Sequence, residues 1–184
     1  MSTLGKRIYI GIAGISEEPN GRILNNINEF IEEIGKLEIE PVFILGGYWG
    51  FMKYFADKAI EKGYTVVFIL PSEPPALPPN KSNTVIIHTD LGFPTRSTIM
   101  CKSSDILVVF GGRIGSIVEA FLAYDFGKPV IVIESGYETD KIPKCFGKYI
   151  DARQKAPLYS VRNGAEAAKL IPELVREYVR EYTA

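Results

Sequence analysis

The chain has 184 residues, a net charge of −1 at pH 7, 46% hydrophobic residues and 23% charged residues. These values predict one soluble domain over residues 1–184, because a chain of this length can bury about 70% of its unfolded surface in one core. The balanced charge argues against nucleic acid as a partner, and no apolar run approaches the roughly 20 residues of a membrane-spanning helix. Cys101 and Cys145 lie far apart in the sequence, which indicates neither a disulfide framework nor a zinc site, so we expect a cytoplasmic protein.

Short apolar runs alternate with segments of helical periodicity along the chain. The apolar runs predict strands at residues 7–14, 41–45, 65–70, 85–88, 106–110 and 129–133, and two further short strands at 149–150 and 158–161. The periodicity predicts helices at residues 23–34 and 50–62, from Thr95, from the glycine turn after residue 110 up to Gly127, and from Asn163 to about Tyr182. This alternation predicts an α/β fold, a Rossmann-like doubly wound and mainly parallel sheet with helices on both faces.

Two segments interrupt the alternation. Residues 71–79 contain five prolines and are predicted to be extended. We interpret them as a stiff surface connector, with a lid or rim beside a site as the alternative. Residues 134–148 show neither the apolar run of a strand nor the periodicity of a helix, and they are predicted to be irregular.

The stretch from residue 105 to 126 reads as a buried strand, a glycine turn and a helix. Gly111, Gly112 and Gly115 form the turn, and a helix that starts there would direct free backbone N–H groups towards an anion such as phosphate. The spacing of Ser116 and Glu119 is also that of a capping box, in which the two residues only stabilise the start of the helix. Spacing alone favours the cap, and it leaves the binding site as the alternative.

Three glycine turns are predicted at the carboxyl edge of the sheet, at residues 11–14, 46–50 and 111–115. No G-x-G-x-x-G sequence follows the first strand, which argues against a nicotinamide dinucleotide and favours a mononucleotide or a smaller phosphate ligand. His88 is the only histidine, so neither a histidine-based triad nor a multi-histidine metal site is expected.

Two motifs together resemble the Lonely Guy phosphoribohydrolases, a group earlier described as possible lysine decarboxylases. One motif combines Arg96-Ser97-x-x-Met100 with the glycine turn and Ser116-x-x-Glu119, and the other runs from Leu45 to Met52. The likeness is greatest to the archaeal and bacterial branch that also resembles the molybdenum cofactor carrier proteins. We reject lysine decarboxylation, because no lysine is marked as a Schiff-base partner of a pyridoxal cofactor.

The resemblance implies cleavage of the N-glycosidic bond of nucleoside 5′-monophosphates, with Glu119 and Arg96 as the catalytic pair. Together with the glycine turns it implies that the phosphate or nucleotide is bound by Gly14, Ser16, Gly46, Gly47, Gly50, Met52, Gly111, Gly112, Arg113, Gly115 and Ser116. We expect no resident cofactor and no metal. The resemblance also implies a homodimer or larger assembly. Four apolar side chains either contact a second copy of the chain or belong to the core, namely Phe51, Phe55, Phe121 and Tyr124.

The chain departs from the family pattern at several positions of these motifs. Gly111 replaces a proline, Arg113 a glycine, Ser116 a threonine and Lys53 a glycine. Arg113 could pair with a phosphate or fill the space that the phosphate needs. Two hypotheses therefore stay open: an enzyme that hydrolyses nucleotides, and a non-catalytic protein that binds or carries a nucleotide or the molybdenum cofactor.

Overall fold

Residues 7–178 are described by a computed structural model. The strands are β1 (Arg7–Ala13), β2 (Glu40–Leu45), β3 (Thr65–Leu70), β4 (Thr84–His88), β5 (Ile106–Val109), β6 (Val130–Ile133) and β7 (Leu158–Val161). The α-helices are α1 (Gly21–Ile34), α2 (Gly50–Glu61), α3 (Phe93–Ser103), α4 (Ile114–Asp125), α5 (Lys141–Phe146) and α6 (Gly164–Tyr178).

The seven strands form one sheet in the order β4-β3-β2-β1-β5-β6-β7. Every pair of neighbours is parallel, from β3 against β4 at one edge to β6 against β7 at the other. The chain winds outwards from β1 to β4, returns through α3 to β5 beside β1, and then winds outwards to β7. The direction of winding therefore reverses between β1 and β5, the position where open α/β sheets form ligand-binding crevices.

Helices cover both faces of the sheet. The first face packs against α1, α2 and α6, and the second against α3, α4 and α5. Strand β5 lies inside the sheet and is covered by helices on both faces, so it requires a continuous run of apolar residues. Ile106 and Val108 lie in the first core and Leu107 and Val109 in the second, because successive side chains of a strand point to opposite faces. The predicted Rossmann-like α/β fold is confirmed.

The predicted start of α3 at Thr95 is wrong. The helix begins at Phe93 with Gly92 as its N-cap residue, whose carbonyl accepts the Arg96 N–H at 3.0 Å. Pro94 lies in the first turn, where its missing N–H costs no intrahelical hydrogen bond.

The region after β6 also differs from the prediction. The segment predicted to be irregular contains a 3-10 turn at Glu138–Asp140 and α5. Residues 149–150 form no strand. A turn follows them, in which the Asp151 carboxylate accepts the N–H of Arg153 at 3.0 Å and the Asp151 carbonyl accepts the N–H of Gln154 at 3.2 Å. The predicted cap of α6 is correct, since the Asn163 side chain accepts the Glu166 N–H at 2.9 Å. Its predicted end near Tyr182 lies outside the described residues.

Close packing between α1 and α6 predicts a strong effect at Gly164. A Cβ atom there would lie 1.9 Å from the backbone oxygen of Asn26 and 2.8 Å from the backbone nitrogen of Phe30. We expect Gly164→Ala to lower the free energy of unfolding by about 1–3 kcal/mol, measured by chemical denaturation. Gly21→Ala is the matched control, because Gly21 also begins a helix but has no atom within 4 Å of the added Cβ. Equal stability of the two variants would contradict this account of the interface.

Candidate functional site

A cavity of about 600 Å³ opens at the carboxyl edge of the sheet, beside the switch point between β1 and β5. It is bordered by the loops that follow β1 and β2 and by the first turns of α3 and α4. The predicted site residues that line it are Gly14, Ser16, Gly46, Met52, Arg96, Arg113, Gly115, Ser116 and Glu119. The sequence reasoning missed other lining residues, notably Trp49, Phe93, Ile114 and Val118.

A polar cluster on α3 and α4 faces this cavity. Ser97 donates a hydrogen bond from its hydroxyl to Oε1 of Glu119 at 2.8 Å. Nη1 of Arg96 lies 3.8 Å from the same carboxylate oxygen. Arg96 and Ser97 are adjacent on α3, and Glu119 lies on the second turn of α4, so packing of the two helices brings the three side chains together.

The capping-box interpretation of Ser116 and Glu119 is wrong. Helix α4 begins at Ile114, two residues before Ser116, so Ser116 is not its N-cap residue. The Ser116 hydroxyl donates to the carbonyl of Gly14 at 3.0 Å and ties α4 to the end of β1. Glu119 points across to α3 instead of back to Ser116.

The guanidinium of Arg96 has little compensation for its burial. The residue is 5% exposed, and within residues 7–178 its buried Nε has no hydrogen-bond partner, although the guanidinium lies 6.0 Å from the centre of the Phe93 ring. Its Nη1 contacts the Met100 sulfur at 3.9 Å, and burial lowers its pKa. Gly46 makes room for the group, because a Cβ there would lie 1.4 Å from Nη1. A ligand with acceptor atoms would give the guanidinium hydrogen bonds on the side that lines the cavity.

Glu119 is held in an environment that disfavours its charge. Burial raises the pKa of its carboxyl group, and Arg96 and the Ser97 hydroxyl oppose that effect only in part. Its side chain is 12% exposed, so it still reaches the cavity. Cys101 lies nearby, and burial raises the pKa of its thiol, which makes it a packing residue and not a nucleophile.

The first turn of α4 lies open at the cavity. Arg113 occupies the N-cap position and makes no capping hydrogen bond, so within the part of the chain that the structure describes the helix begins without a side-chain acceptor for its N–H groups. Arg113 pairs instead with the Glu17 carboxylate from the loop after β1, and both side chains are 56% exposed. Gly111 and Gly112 have φ values of +114° and +149°, which shape the turn, but neither lines the cavity.

Gly47 and Gly50 also support the site without lining it. A Cβ on Gly47 would lie 1.9 Å from a ring carbon of Trp49. Gly50 has a φ of +50°, and a Cβ there would lie 2.3 Å from the carbonyl oxygen of Ser16. Both glycines therefore allow the loops after β1 and β2 to approach each other at the mouth of the cavity.

Most of the aromatic residues suggested for a dimer interface belong to the core. Phe51, Phe55 and Tyr124 are at most 2% exposed. Phe121 is half-buried and packs edge-to-face against Phe146 at 5.5 Å. The core interpretation is correct for the first three of these residues.

The remaining sequence features lie away from the cavity. None of residues 71–79 lines it, which supports their interpretation as a connector, and His88 is exposed at the end of β4. Within residues 7–178 we find no group of three or more potential metal ligands. Over the same range, no helix is both long and apolar enough to cross a membrane.

The raised pKa of Glu119 predicts how stability changes with pH. Near pH 4 the carboxyl is largely protonated whether the chain is folded or unfolded, and Glu119→Gln should have a melting temperature close to that of the wild type. As the pH rises towards 7, ionisation of the buried carboxyl costs the folded state stability. The glutamine variant should therefore become progressively more stable than the wild type in calorimetry at a series of pH values. A variant less stable at pH 7 would mean that attraction to Arg96 outweighs burial.

The comparisons with known proteins agree with this architecture. Residues 7–164 match the model of the SLOG cluster4 family, LDcluster4. An uncharacterized protein of Archaeoglobus fulgidus is 36% identical over 137 residues, which cover 70% of this chain and 85% of that protein.

Two solved structures share the fold. A structural genomics target named TM1055 is 30% identical, with a TM-score of 0.76 over 90% of this chain and 99% of that one. The Moco carrier protein from Chlamydomonas reinhardtii is 23% identical, with a TM-score of 0.72 over 93% of this chain and 99% of that one. The resemblance indicated by the motifs is confirmed, and the chain belongs to the SLOG cluster4 family.

Proposed function

We propose that the protein is a nucleoside 5′-monophosphate phosphoribohydrolase, which hydrolyses the N-glycosidic bond and releases the base and ribose 5-phosphate. One observation carries the proposal: the Glu119 carboxylate reaches the cavity from a buried position, beside Arg96 and Ser97. The cavity volume of about 600 Å³ lies in the range typical of small-ligand sites.

The chemistry needs an anionic group next to the sugar. Cleavage of the N-glycosidic bond builds positive charge on the ribose, and a carboxylate in a poorly solvated site stabilises such charge more than it would in water. Glu119 would supply that carboxylate and orient the attacking water. Ser97 donates to Oε1 of Glu119, which orients the carboxylate. The Arg96 guanidinium, which lines the cavity, would donate to a ribose hydroxyl or to the phosphate.

The phosphate has a separate anchor in this proposal. The uncapped start of α4, at Ile114 and Gly115, offers backbone N–H groups and the positive end of the helix dipole. Arg113 adds a guanidinium at the same point. Because Arg113 pairs with Glu17 in the free protein, an incoming phosphate would replace that carboxylate.

A second function is favoured by the apolar character of the lining. Beyond the polar cluster, large apolar side chains border the cavity, among them Ile12, Ile15, Trp49, Met52 and Phe93. A largely apolar pocket with a phosphate anchor suits a protein that holds a phosphate-bearing compound without cleaving it. One structure of similar fold is a Moco carrier protein, so the molybdenum cofactor is the alternative ligand.

A hydrolysis assay separates the two functions. The purified protein is incubated with a panel of nucleoside 5′-monophosphates, and free base and ribose 5-phosphate are measured by chromatography. We expect product with at least one nucleotide, and a loss of about 100-fold or more in Glu119→Gln, because the variant lacks the carboxylate. Glu29→Gln, on the exposed side of α1, is the matched control. Unchanged turnover in Glu119→Gln contradicts the mechanism, and binding without product favours the carrier.

The pair between Arg113 and Glu17 predicts opposite effects of two substitutions on phosphate binding. Glu17→Gln removes a carboxylate that competes with the ligand, so ribose 5-phosphate should bind several-fold more tightly. Arg113→Gln removes the cation, so binding should weaken several-fold and depend less on salt. Arg153→Gln is the control, because Arg153 pairs with Asp151 on a surface that does not line the cavity. Calorimetric titration measures all three, and weaker binding by Glu17→Gln would contradict the proposed competition.

A further inference from the structure

An aromatic pair borders the cavity outside the polar cluster. Trp49 ends the loop before α2, and Phe93 is the first residue of α3. Their ring centroids lie 6.0 Å apart at an interplanar angle of 88°, an edge-to-face arrangement. Both line the cavity, and neither belongs to the polar cluster or to the phosphate anchor.

The position of Trp49 depends on its neighbours in the loop. The ring occupies space that a side chain on Gly47 would need, since a Cβ there would lie 1.9 Å from Cζ3 of the indole. The Trp49 carbonyl accepts the Met52 N–H at 3.1 Å, which holds the backbone at the start of α2. The absence of a side chain on Gly47 therefore lets the indole lie at the cavity wall.

Several apolar side chains that line the cavity are open to water. Phe93 is 48% exposed, Val118 is 40% exposed and Ile114 is 72% exposed, and all three line the cavity. Large apolar side chains that gather around a concave site mark a surface that a partner or ligand covers. Within residues 7–178 the Arg96 guanidinium, on a residue 5% exposed in the same cavity, has only the Met100 sulfur as a hydrogen-bond partner, which independently indicates that a ligand completes the site.

We propose that Trp49 and Phe93 form the contact surface for a planar heteroaromatic ring of the ligand and so determine its specificity. The inference rests on the proposed function in one respect, that a phosphate-bearing ring compound occupies this cavity. The ring lies against the aromatic pair and the apolar rim, and the polar part of the ligand lies towards Arg96, Glu119 and the start of α4. A nucleobase and a fused pterin ring share the required chemistry.

Tryptophan fluorescence tests this contact directly, because Trp49 is the only tryptophan in the chain. The full-length protein is titrated with nucleoside 5′-monophosphates, with a phosphorylated pterin and with ribose 5-phosphate, which lacks a ring. Glu119→Gln is titrated in parallel so that nucleotides remain intact. We expect at least one ring-bearing compound to change the emission saturably. Ribose 5-phosphate should compete with that compound without reproducing the change.

Ligand affinities of variants at Trp49 and Phe93 provide a second test. Trp49→Leu should weaken binding of the ring-bearing compound about tenfold in calorimetry and leave the affinity for ribose 5-phosphate unchanged, because stacking is lost while the phosphate anchor remains. Phe93→Leu should also weaken binding of the ring-bearing compound, and any change in its affinity for ribose 5-phosphate reports the contact of the Phe93 ring with the Arg96 guanidinium at 6.0 Å. Trp49→Phe, which keeps an aromatic ring, should retain most of the affinity. Tyr54→Leu is the matched control, since Tyr54 is an aromatic residue 42% exposed that does not line the cavity.

Several results would overturn the inference. They are a bound ring compound that leaves the emission unchanged, equal losses of affinity for ring-bearing and ring-free compounds, and no binding by any ring compound. A change of molecular mass in the leucine variants without a change in ring affinity would assign the apolar rim to a second copy of the chain. Ring-dependent binding without hydrolysis would remove the proposed enzymatic function and leave the contact surface established.

Discussion

The burial of Arg96 beside Glu119 constrains the structure around the cavity. A guanidinium that is 5% exposed needs space and compensation, and the fold provides the space at Gly46 and part of the compensation through Glu119 at 3.8 Å. Burial lowers the pKa of Arg96 and raises the pKa of Glu119, because both groups lose contact with water. The attraction between the two charges compensates for that loss only in part. Such an arrangement costs stability, and a ligand that completes its hydrogen bonds would offset that cost.

The topology explains why these groups meet at one place. Helices α3 and α4 precede and follow β5, which lies next to β1 at the switch point. The first turns of both helices therefore lie at the carboxyl edge of the sheet, with the loops after β1 and β2 beside them. Contacts such as the hydrogen bond from Ser116 to the Gly14 carbonyl hold the start of α4 against the end of β1. Three features from separate parts of the chain therefore meet at the cavity. They are the polar cluster of Arg96, Ser97 and Glu119, the uncapped start of α4, and the aromatic pair of Trp49 and Phe93.

The sequence predicted the fold well because its signals are local. Strands are predicted by short continuous apolar runs such as 106–110, and helix α1 by its helical stripe of apolar residues, and neither pattern needs tertiary information. Boundaries were less accurate where a turn residue was misjudged. The predicted start of α3 near Thr95 puts Phe93 in a loop, whereas the structure puts it in the helix turn that borders the cavity. Nothing in the sequence near Trp49 showed that Gly47 would let its ring lie over the backbone.

Two pairs of residues with the same separation in the sequence have different roles in the structure. Asn163 and Glu166 cap α6, whereas Ser116 and Glu119 have the same separation and form a contact to β1 and a polar cluster with α3. The α/β fold, the glycine turns and the family resemblance all rest on patterns of residues that are near one another in the sequence. The sequence by itself therefore determined them. Which groups face each other across the cavity depends on the packing of elements distant in the chain. Only the tertiary structure therefore brought Ser97 and Arg96 to Glu119, paired Arg113 with Glu17, and left Trp49 and Phe93 at the cavity wall.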